Sequence, residues 1–338
     1  MRRYGNLWDK VIDKDNLKVA FKKARRGKNW QRKVRRIDRN LDYFVDKLHK
    51  SLSEGTYRTS SYKTKVIYEP KMRTIYILPF YPDRILHHAI MNVLEPIWDG
   101  MLISTSYACR KGKGQHVGSR YCMELVRKYK YCLKCDVSKF YPSVDHQVLK
   151  QILRRKIKDQ KLLTLLDEII DSVEGGKNVP IGNYLSQWFG NLYLNELDML
   201  LKHKYHVKHY LRYCDDFLLF SDDKQYLNEM AEIIKEFLES ELKLKLSKCN
   251  LFPVTQGVDF LGYRHFPQGY ILVRKSTAKR MKKRLKSVLW EYRHNLLNKE
   301  TVRAKIASTE GWLKHATAHN LSVALRINEI KDEVLKDE

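Results

Sequence analysis

The chain has 338 residues, 43% hydrophobic and 31% charged, enough for two or three compact units with real cores; no apolar run approaches the length needed to span a bilayer. The N-terminal stretch MRRYGNLWDKVIDK lacks the apolar centre of a signal peptide, so a cytoplasmic location is expected. Sixty-five Lys and Arg against 39 Asp and Glu leave a charge of +26, which points to a polyphosphate partner, nucleic acid well before an anionic membrane.

The excess is concentrated at the two ends. Residues 1–50 hold 17 Lys and Arg against 6 Asp and Glu, and residues 271–338 hold 16 against 8. The first of these stretches reads as helical, with Leu17, Ala20, Phe21 and Ala24, then Ile37, Leu41, Phe44, Val45 and Leu48, at helical spacing. Between them KKARRGKNWQRKVRR is a charge run: a solvated face, or, with Trp30 inside it, a place for phosphate contact plus stacking.

Residues 62–81 change to a two-residue rhythm rich in β-branched and aromatic side chains. This predicts a hairpin turning near Glu69 to Met72, with Lys71 and Arg73 exposed. Helix returns from Asp83 and is expected to end at Pro96 and Gly100. Residues 106–120 read as a basic loop in which Gly112, Gly114 and Gly118 let Arg110, Lys111 and Lys113 approach a backbone; their spacing and context do not fit a dinucleotide-binding fingerprint.

YKYCLKCDVSKFYPSVDH, residues 129–146, predicts a strand ending at Asp136 and a turn carrying Ser138, Lys139 and Phe140. Helices are expected over 147–174. Gly175 and Gly176 then give flexibility, Pro180 opens a turn and Gly182 permits close backbone approach, before a helix over Ser186 to Leu201. HYLRYCDDFLLF follows, strand, tight turn, strand, with Asp215 and Asp216 at the turn. By itself such a pair is an ordinary acidic hairpin tip. Apolar walls on both sides argue otherwise, because two close carboxylates repel and desolvate badly without a cation. With Asp136 as a third carboxylate, the set suits two hard divalent cations that keep positions open for substrate phosphates. Residues 225–242 predict an amphipathic helix, residues 244–266 strand, loop and strand, and residues 279–294 with the stretch 309–336 a basic helical domain.

The six cysteines are expected to be reduced thiols. Cys132 and Cys135 form a CxxC inside a strand with no second pair, and His203, His206 and His209 lack companion ligands, so neither reads as a zinc site.

Taken in order, KMRTIYILPFYPDRIL, STSYACRKGKG, KCDVSKFYPSVDH, PIGNYLSQWFGNLYLNELD, YCDDFLLF, LKLSKCN and FLGY resemble the successive blocks of the reverse transcriptase family over nearly the whole chain. Within it the chain is similar to the compact group II intron-like branch, and above all to the reverse transcriptases of diversity-generating retroelements. Where most relatives carry QGxxxSP, that branch has a branched aliphatic residue before the glycine and SQ at the end, as in Ile181 to Gln187 here. The resemblance implies an α+β right-hand polymerase. Basic helices and fingers would take 1–128, a ferredoxin-like palm 129–267 (with part of the fingers in 147–185), and a helical thumb 268–338, without the extensions of intron proteins.

It further implies that Asp136 and Asp215 bind two Mg²⁺ ions (Mn²⁺ a possible substitute), helped by the Val137 carbonyl and supported by Asp216. Lys71 and Arg73 match residues that hold the incoming triphosphate, Tyr141 the bulky residue that excludes a ribose 2′-hydroxyl, and Lys248 a lysine near the leaving pyrophosphate. Ile181, Gly182 and Gln187 would lie by the template base and nucleotide, and an apolar residue at 181 removes a hydrogen bond to the pair, a route to low fidelity. Phe260, Leu261, Gly262 and Tyr263 match the primer grip, and Arg110 would meet template or primer. Relatives of this branch copy RNA with frequent errors opposite adenine, and usually work with a small basic helical accessory protein. The implied partners are therefore a template RNA, its hybrid with cDNA, dNTPs and such an oligomer, with no membrane. A retron-type or phage-defence enzyme, or an idle RNA-binding protein with a polymerase fold, are the competing readings.

Overall fold

The N-terminal basic stretch folds as α1 (Trp8–Ile12), α2 (Lys14–Ala24), α3 (Arg32–Arg39) and α4 (Leu41–Ser53) in the computed structural model, which describes residues 3–68 and 71–335. On α2 the predicted Leu17, Ala20, Phe21 and Ala24 are all buried; on α4 Val45 and Leu48 are buried with Leu52, while Leu41 and Phe44 are half-buried. The Asp13 carboxylate caps α2 by accepting from the Asn16 amide.

The expected hairpin is β1 (Lys63–Ile67) antiparallel to β2 (Arg73–Ile77), with Val66 opposite Thr74. Glu69 and Pro70, half of its expected turn, lie outside the described residues. Residues Phe80–Arg84, kinked at Tyr81 where the backbone is extended (φ −120°, ψ 135°), lead into α5 (Ile85–Asp99). Pro96 does not end this helix as its type suggests. It removes one donor near the C-terminus, while fully buried Leu94 and Trp98 on either side keep the last turn in place. Likewise α6 (Gln115–Lys128) starts inside the stretch expected as loop, because Gly114 turns the chain at φ +109° and Gly118 and Ser119 are buried in the helix that follows.

Then come β3 (Tyr131–Val137), the short α7 (Phe140–Ser143), α8 (His146–Lys156), α9 (Gln160–Asp171) and α10 (Tyr184–Met199), extended by a π-helical turn at Leu200–Lys204. The strands β4 (Tyr210–Tyr213) and β5 (Asp216–Ser221) precede α11 (Lys224–Ser240) and β6 (Leu246–Pro253). A small antiparallel sheet, β7 (Val258–Phe260), β8 (Tyr263–His265) and β9 (Ile271–Val273), introduces the C-terminal helices α12 (Lys275–Arg293), α13 (Lys299–Leu313), α14 (His319–Ala324) and α15 (Ile327–Leu335).

The fold is α+β, with separate helical and antiparallel parts. It divides into two units, each discontinuous in sequence. One comprises residues 1–109, 136–207 and 232–248: the N-terminal helices, the β1–β2 hairpin and α7 to α10. The other comprises 110–135, 208–231 and 249–338 and carries β4, β5 and most of β3 and β6, strands ordered β4-β5-β3-β6, with the small sheet and the C-terminal helices. The chain crosses between units inside β3, after Cys135, and inside β6, after Lys248. The C-terminal helices pack Met281, Leu285 and Val288 of α12 and Val302 and Ile306 of α13 around Tyr263.

Candidate active site

The acidic hairpin is a two-residue turn. Tyr213 pairs with Asp216, which leaves Cys214 and Asp215 as its tip and makes Asp216 the first residue of β5. The left-handed position falls on Cys214, at φ +54°, rather than on either aspartate. A non-glycine residue there costs about 1–2 kcal/mol, offset locally by Arg212, a fully buried side chain whose guanidinium donates to the Cys214 carbonyl at 3.1 Å. Phe217 to Phe220 and Tyr210 to Leu211 are buried, the apolar walls that the sequence shows. Asp216 is not left to face its neighbour alone: the Lys134 ammonium donates to its Oδ2 at 3.1 Å and to the Asp259 carbonyl at 2.5 Å.

In the other unit Asp136 lies near the end of β3, half-buried, before buried Val137. The Ser247 hydroxyl donates to Asp136 Oδ2 at 2.7 Å and to the Asp136 carbonyl oxygen at 3.0 Å, and the Ser138 amide donates to the Lys245 carbonyl at 2.8 Å. Lys139 then takes φ +42° and sends the chain into α7. Tyr141 on α7 lies against Gly190 of α10, where an added Cβ would stand 3.2 Å from its ring and 3.4 Å from its hydroxyl. Lys248 is exposed one residue after Ser247.

The same unit joins the Ile181–Gly182 turn to β2. The Tyr76 amide donates to the Ile181 carbonyl at 2.8 Å, the Asn178 side chain donates to the Tyr76 hydroxyl at 3.1 Å, and the Val179 amide donates to the Tyr141 carbonyl at 2.9 Å. Gly182 has φ +121°, and a Cβ there would be 2.5 Å from the Tyr76 carbonyl oxygen. So Ile181, Gly182 and Tyr141 are gathered with the strand that begins at Arg73. Lys71 and Arg73 are exposed, and Gln187 is exposed in the first turn of α10.

The FLGY stretch is the β7–β8 turn: Phe260 pairs with Tyr263, Leu261 has φ +56° and Gly262 φ +83°. Phe260 and Tyr263 are fully buried. The Gln115 amide donates to the Leu261 carbonyl at 2.8 Å, the Arg274 amide to the Gly262 carbonyl at 3.0 Å, and the Tyr263 hydroxyl to the Trp312 carbonyl at 3.2 Å. Arg110 is half-buried in the loop before α6.

Among the described residues, no group of three or more His, Cys, Asp or Glu side chains is gathered for a metal ion; Asp136 belongs to one unit, Asp215 and Asp216 to the other. The donor chemistry of these three is nevertheless that of hard oxygen ligands, which fits a divalent cation and not a soft one. Cys135 Sγ lies 3.4 Å from Cys249 Sγ, and Cys132 is buried. Of the histidine run, His203 and His206 are exposed while His209 bonds the Tyr129 hydroxyl and lies against its ring.

Lys134, Ser247 and Gly190 escaped the reading of the sequence. Lys134 does carry a signal there: a charge inside an apolar strand, two residues before Asp136, occupies the same face of β3. Ser247 and Gly190 carry none, since their partners come from 111 and about 50 residues away.

Residues 61–265 match the family model described as reverse transcriptase (RNA-dependent DNA polymerase), and the chain belongs to that family. Enzymes of the family use divalent metal ions. Among curated proteins, the chain is 27% identical over 234 residues to Protein YkfC of Escherichia coli K12, covering 55% of this chain and 61% of that one. It is 23% identical over 288 residues to the group II intron-encoded protein LtrA of Lactococcus lactis subsp. cremoris, covering 78% of this chain and 47% of that one. The chain thus spans between about half and three-fifths of the length of these two relatives. A solved structure of apo telomerase from Candida tropicalis, truncated from its C-terminal domain, is similar with a TM-score of 0.48 at 13% identity, covering 69% of this chain and 60% of that one. No helix among the described residues is long and apolar enough to cross a membrane.

Proposed function

We propose that the chain is an RNA-directed DNA polymerase that extends a primer by nucleotidyl transfer, in the service of a diversity-generating retroelement. The observation that carries the polymerase reading is the β4–β5 hairpin, which presents two adjacent acids, Asp215 in its turn and Asp216 at the start of β5, the latter held by a lysine, in a chain of the reverse transcriptase family. Residues 1–128 would form the basic N-terminal helices and fingers, 129–267 the palm and 268–338 the thumb. Asp136 and Asp215, with the Val137 carbonyl and support from Asp216, would hold two ions, Mg²⁺ or in its place Mn²⁺. Bound there, divalent cations make the primer 3′-hydroxyl more acidic and neutralise the triphosphate.

The protein's own part is positioning. Ser247 fixes the orientation of the Asp136 carboxylate. Lys71 and Arg73 bring positive charge from the exposed hairpin to the incoming triphosphate, and Lys248 brings it to the pyrophosphate. Tyr141, backed by Gly190, fills the space a ribose 2′-hydroxyl would need. Arg110 and the 260–263 turn would hold template and primer, and the basic ends of the chain the RNA and its hybrid with cDNA.

The retroelement reading rests on Ile181 and Gln187. Ile181 is held by its carbonyl to β2, so its apolar side chain has a defined place. A branched aliphatic residue offers a template base no hydrogen bond, which weakens discrimination between correct and incorrect pairs. The small basic accessory protein belongs to this same reading.

Primer extension on a defined RNA with Mg²⁺, followed by deep sequencing of the cDNA, tests both levels. Asp136→Ala is expected to abolish synthesis while RNA binding persists; synthesis by that variant would refute the metal assignment. Ile181→Gln is expected to lower errors at template adenines, and unchanged adenine errors would direct the assignment to a retron-type or phage-defence enzyme instead.

A further inference from the structure

A chain of polar contacts links the acidic hairpin to the 260–263 turn within one unit, and Lys134 is its centre. The Lys134 side chain is 19% exposed and that of Asp216 25% exposed, so their 3.1 Å ion pair is largely screened from water. The same ammonium donates to the Asp259 carbonyl at 2.5 Å. The Asp259 carboxylate in turn accepts from Arg274 Nε at 2.6 Å, and the Arg274 amide donates to the Gly262 carbonyl at 3.0 Å. From Asp216 to Gly262 every link is a hydrogen bond or ion pair between named groups.

We propose that Lys134 is a positioning residue for nucleotidyl transfer: it holds Asp216 by protein charge and fixes the acidic hairpin against the turn that carries Leu261 and Gly262. The inference rests on the polymerase reading above and extends it. Adjacent carboxylates repel each other, and a lysine paired with Asp216 offsets that repulsion without a metal. Asp216 is thereby braced by the protein. Because Lys134 also grips the residue before Phe260, displacement of the acids and displacement of the turn are coupled, and small displacements of reacting groups are costly.

Three measurements test this. In EDTA, melting of wild type, Lys134→Met, Asp216→Asn and the double variant is compared. Each single change is expected to lower Tm by roughly 3–6 °C, with the double variant no lower than the worse single one; additive losses would overturn the proposal. Added Mg²⁺ is expected to raise the Tm of Lys134→Met more than that of wild type, because the acid pair there lacks its cation, and an equal rise counts against the idea. In primer extension, Lys134→Met should lower kcat roughly 10–100-fold with the KM for dNTP unchanged. A kcat equal to wild type, or a loss confined to KM, overturns it. If Lys134→Met fails to fold, Lys134→Gln, which keeps a polar tip, carries the same comparisons. A wild-type protein without synthesis would sink the polymerase reading and leave the two melting experiments to decide the role of Lys134.

Discussion

Gly182 shows how one residue can hold a site in shape. Its φ of +121° lies where side chains are rarely accommodated, and a Cβ would stand 2.5 Å from the Tyr76 carbonyl oxygen, a backbone atom that cannot swing away. Gly182→Ala is therefore expected to destabilise the protein by about 2–4 kcal/mol and to loosen Ile181 from β2, raising the KM for dNTP. Gly176→Ala, at φ +69° with open space around it, is the control and should cost far less. Chemical denaturation compares the two, and equal losses would show that the close approach at Gly182 does not matter. The sequence marked Gly182 as a point of close backbone approach. It did not say to what, because Tyr76 is about a hundred residues away.

At the scale of elements, the hydrophobic rhythm predicted most helices and strands; it missed β9, which lies in the stretch 268–338 expected to be helical, and it failed where one residue's local preference was overruled. Pro96 stays inside α5 because Trp98 is buried beyond it, and α6 begins at Gln115 because Gly114 makes the turn that a longer loop was expected to make. The β7–β8 turn is held from several sides, by Gln115, Arg274 and Trp312. A Cβ on Gly262 would stand 2.8 Å from the Trp312 ring, which is itself placed against Tyr263 with centroids 5.2 Å apart. Gly262→Ala should thus cost about 1–3 kcal/mol and shift Trp312. Tryptophan fluorescence together with primer-template affinity checks this; an unchanged spectrum with unchanged affinity would argue that the turn is not held by Trp312.

For the whole molecule, burial sets the acid response. His87, His88, His265 and His315 are each pushed down to about 4, with burial as the first cause in every case and nearby cations adding to it. Their folded pKa lies below the unfolded value of about 6.5, so the unfolded chain takes up protons first. The stability these neutral rings contribute is fully present above about pH 6.5 and is lost as pH falls toward 4. Tm should be flat above that window and fall through it. His87→Leu, replacing a buried ring whose Nε2 has no hydrogen-bond partner among the described residues, should reduce the slope. A slope unchanged by that variant would assign the acid response elsewhere, foremost to the repulsion inherent in a charge of +26.

The order of motifs, the acids Asp136, Asp215 and Asp216, the basic ends and the family were all legible in the amino-acid sequence, because strand alternation, helical spacing and charge are local properties of the chain. Tertiary structure alone decided that Cys214 rather than an aspartate takes the left-handed turn position, that Ser247 orients Asp136, that Gly190 makes room for Tyr141, and that Lys134 braces Asp216 and Asp259 together. The last three of these pair groups 49 to 125 residues apart, and a contact at that separation depends on which strands and helices come to lie side by side, which no local pattern encodes.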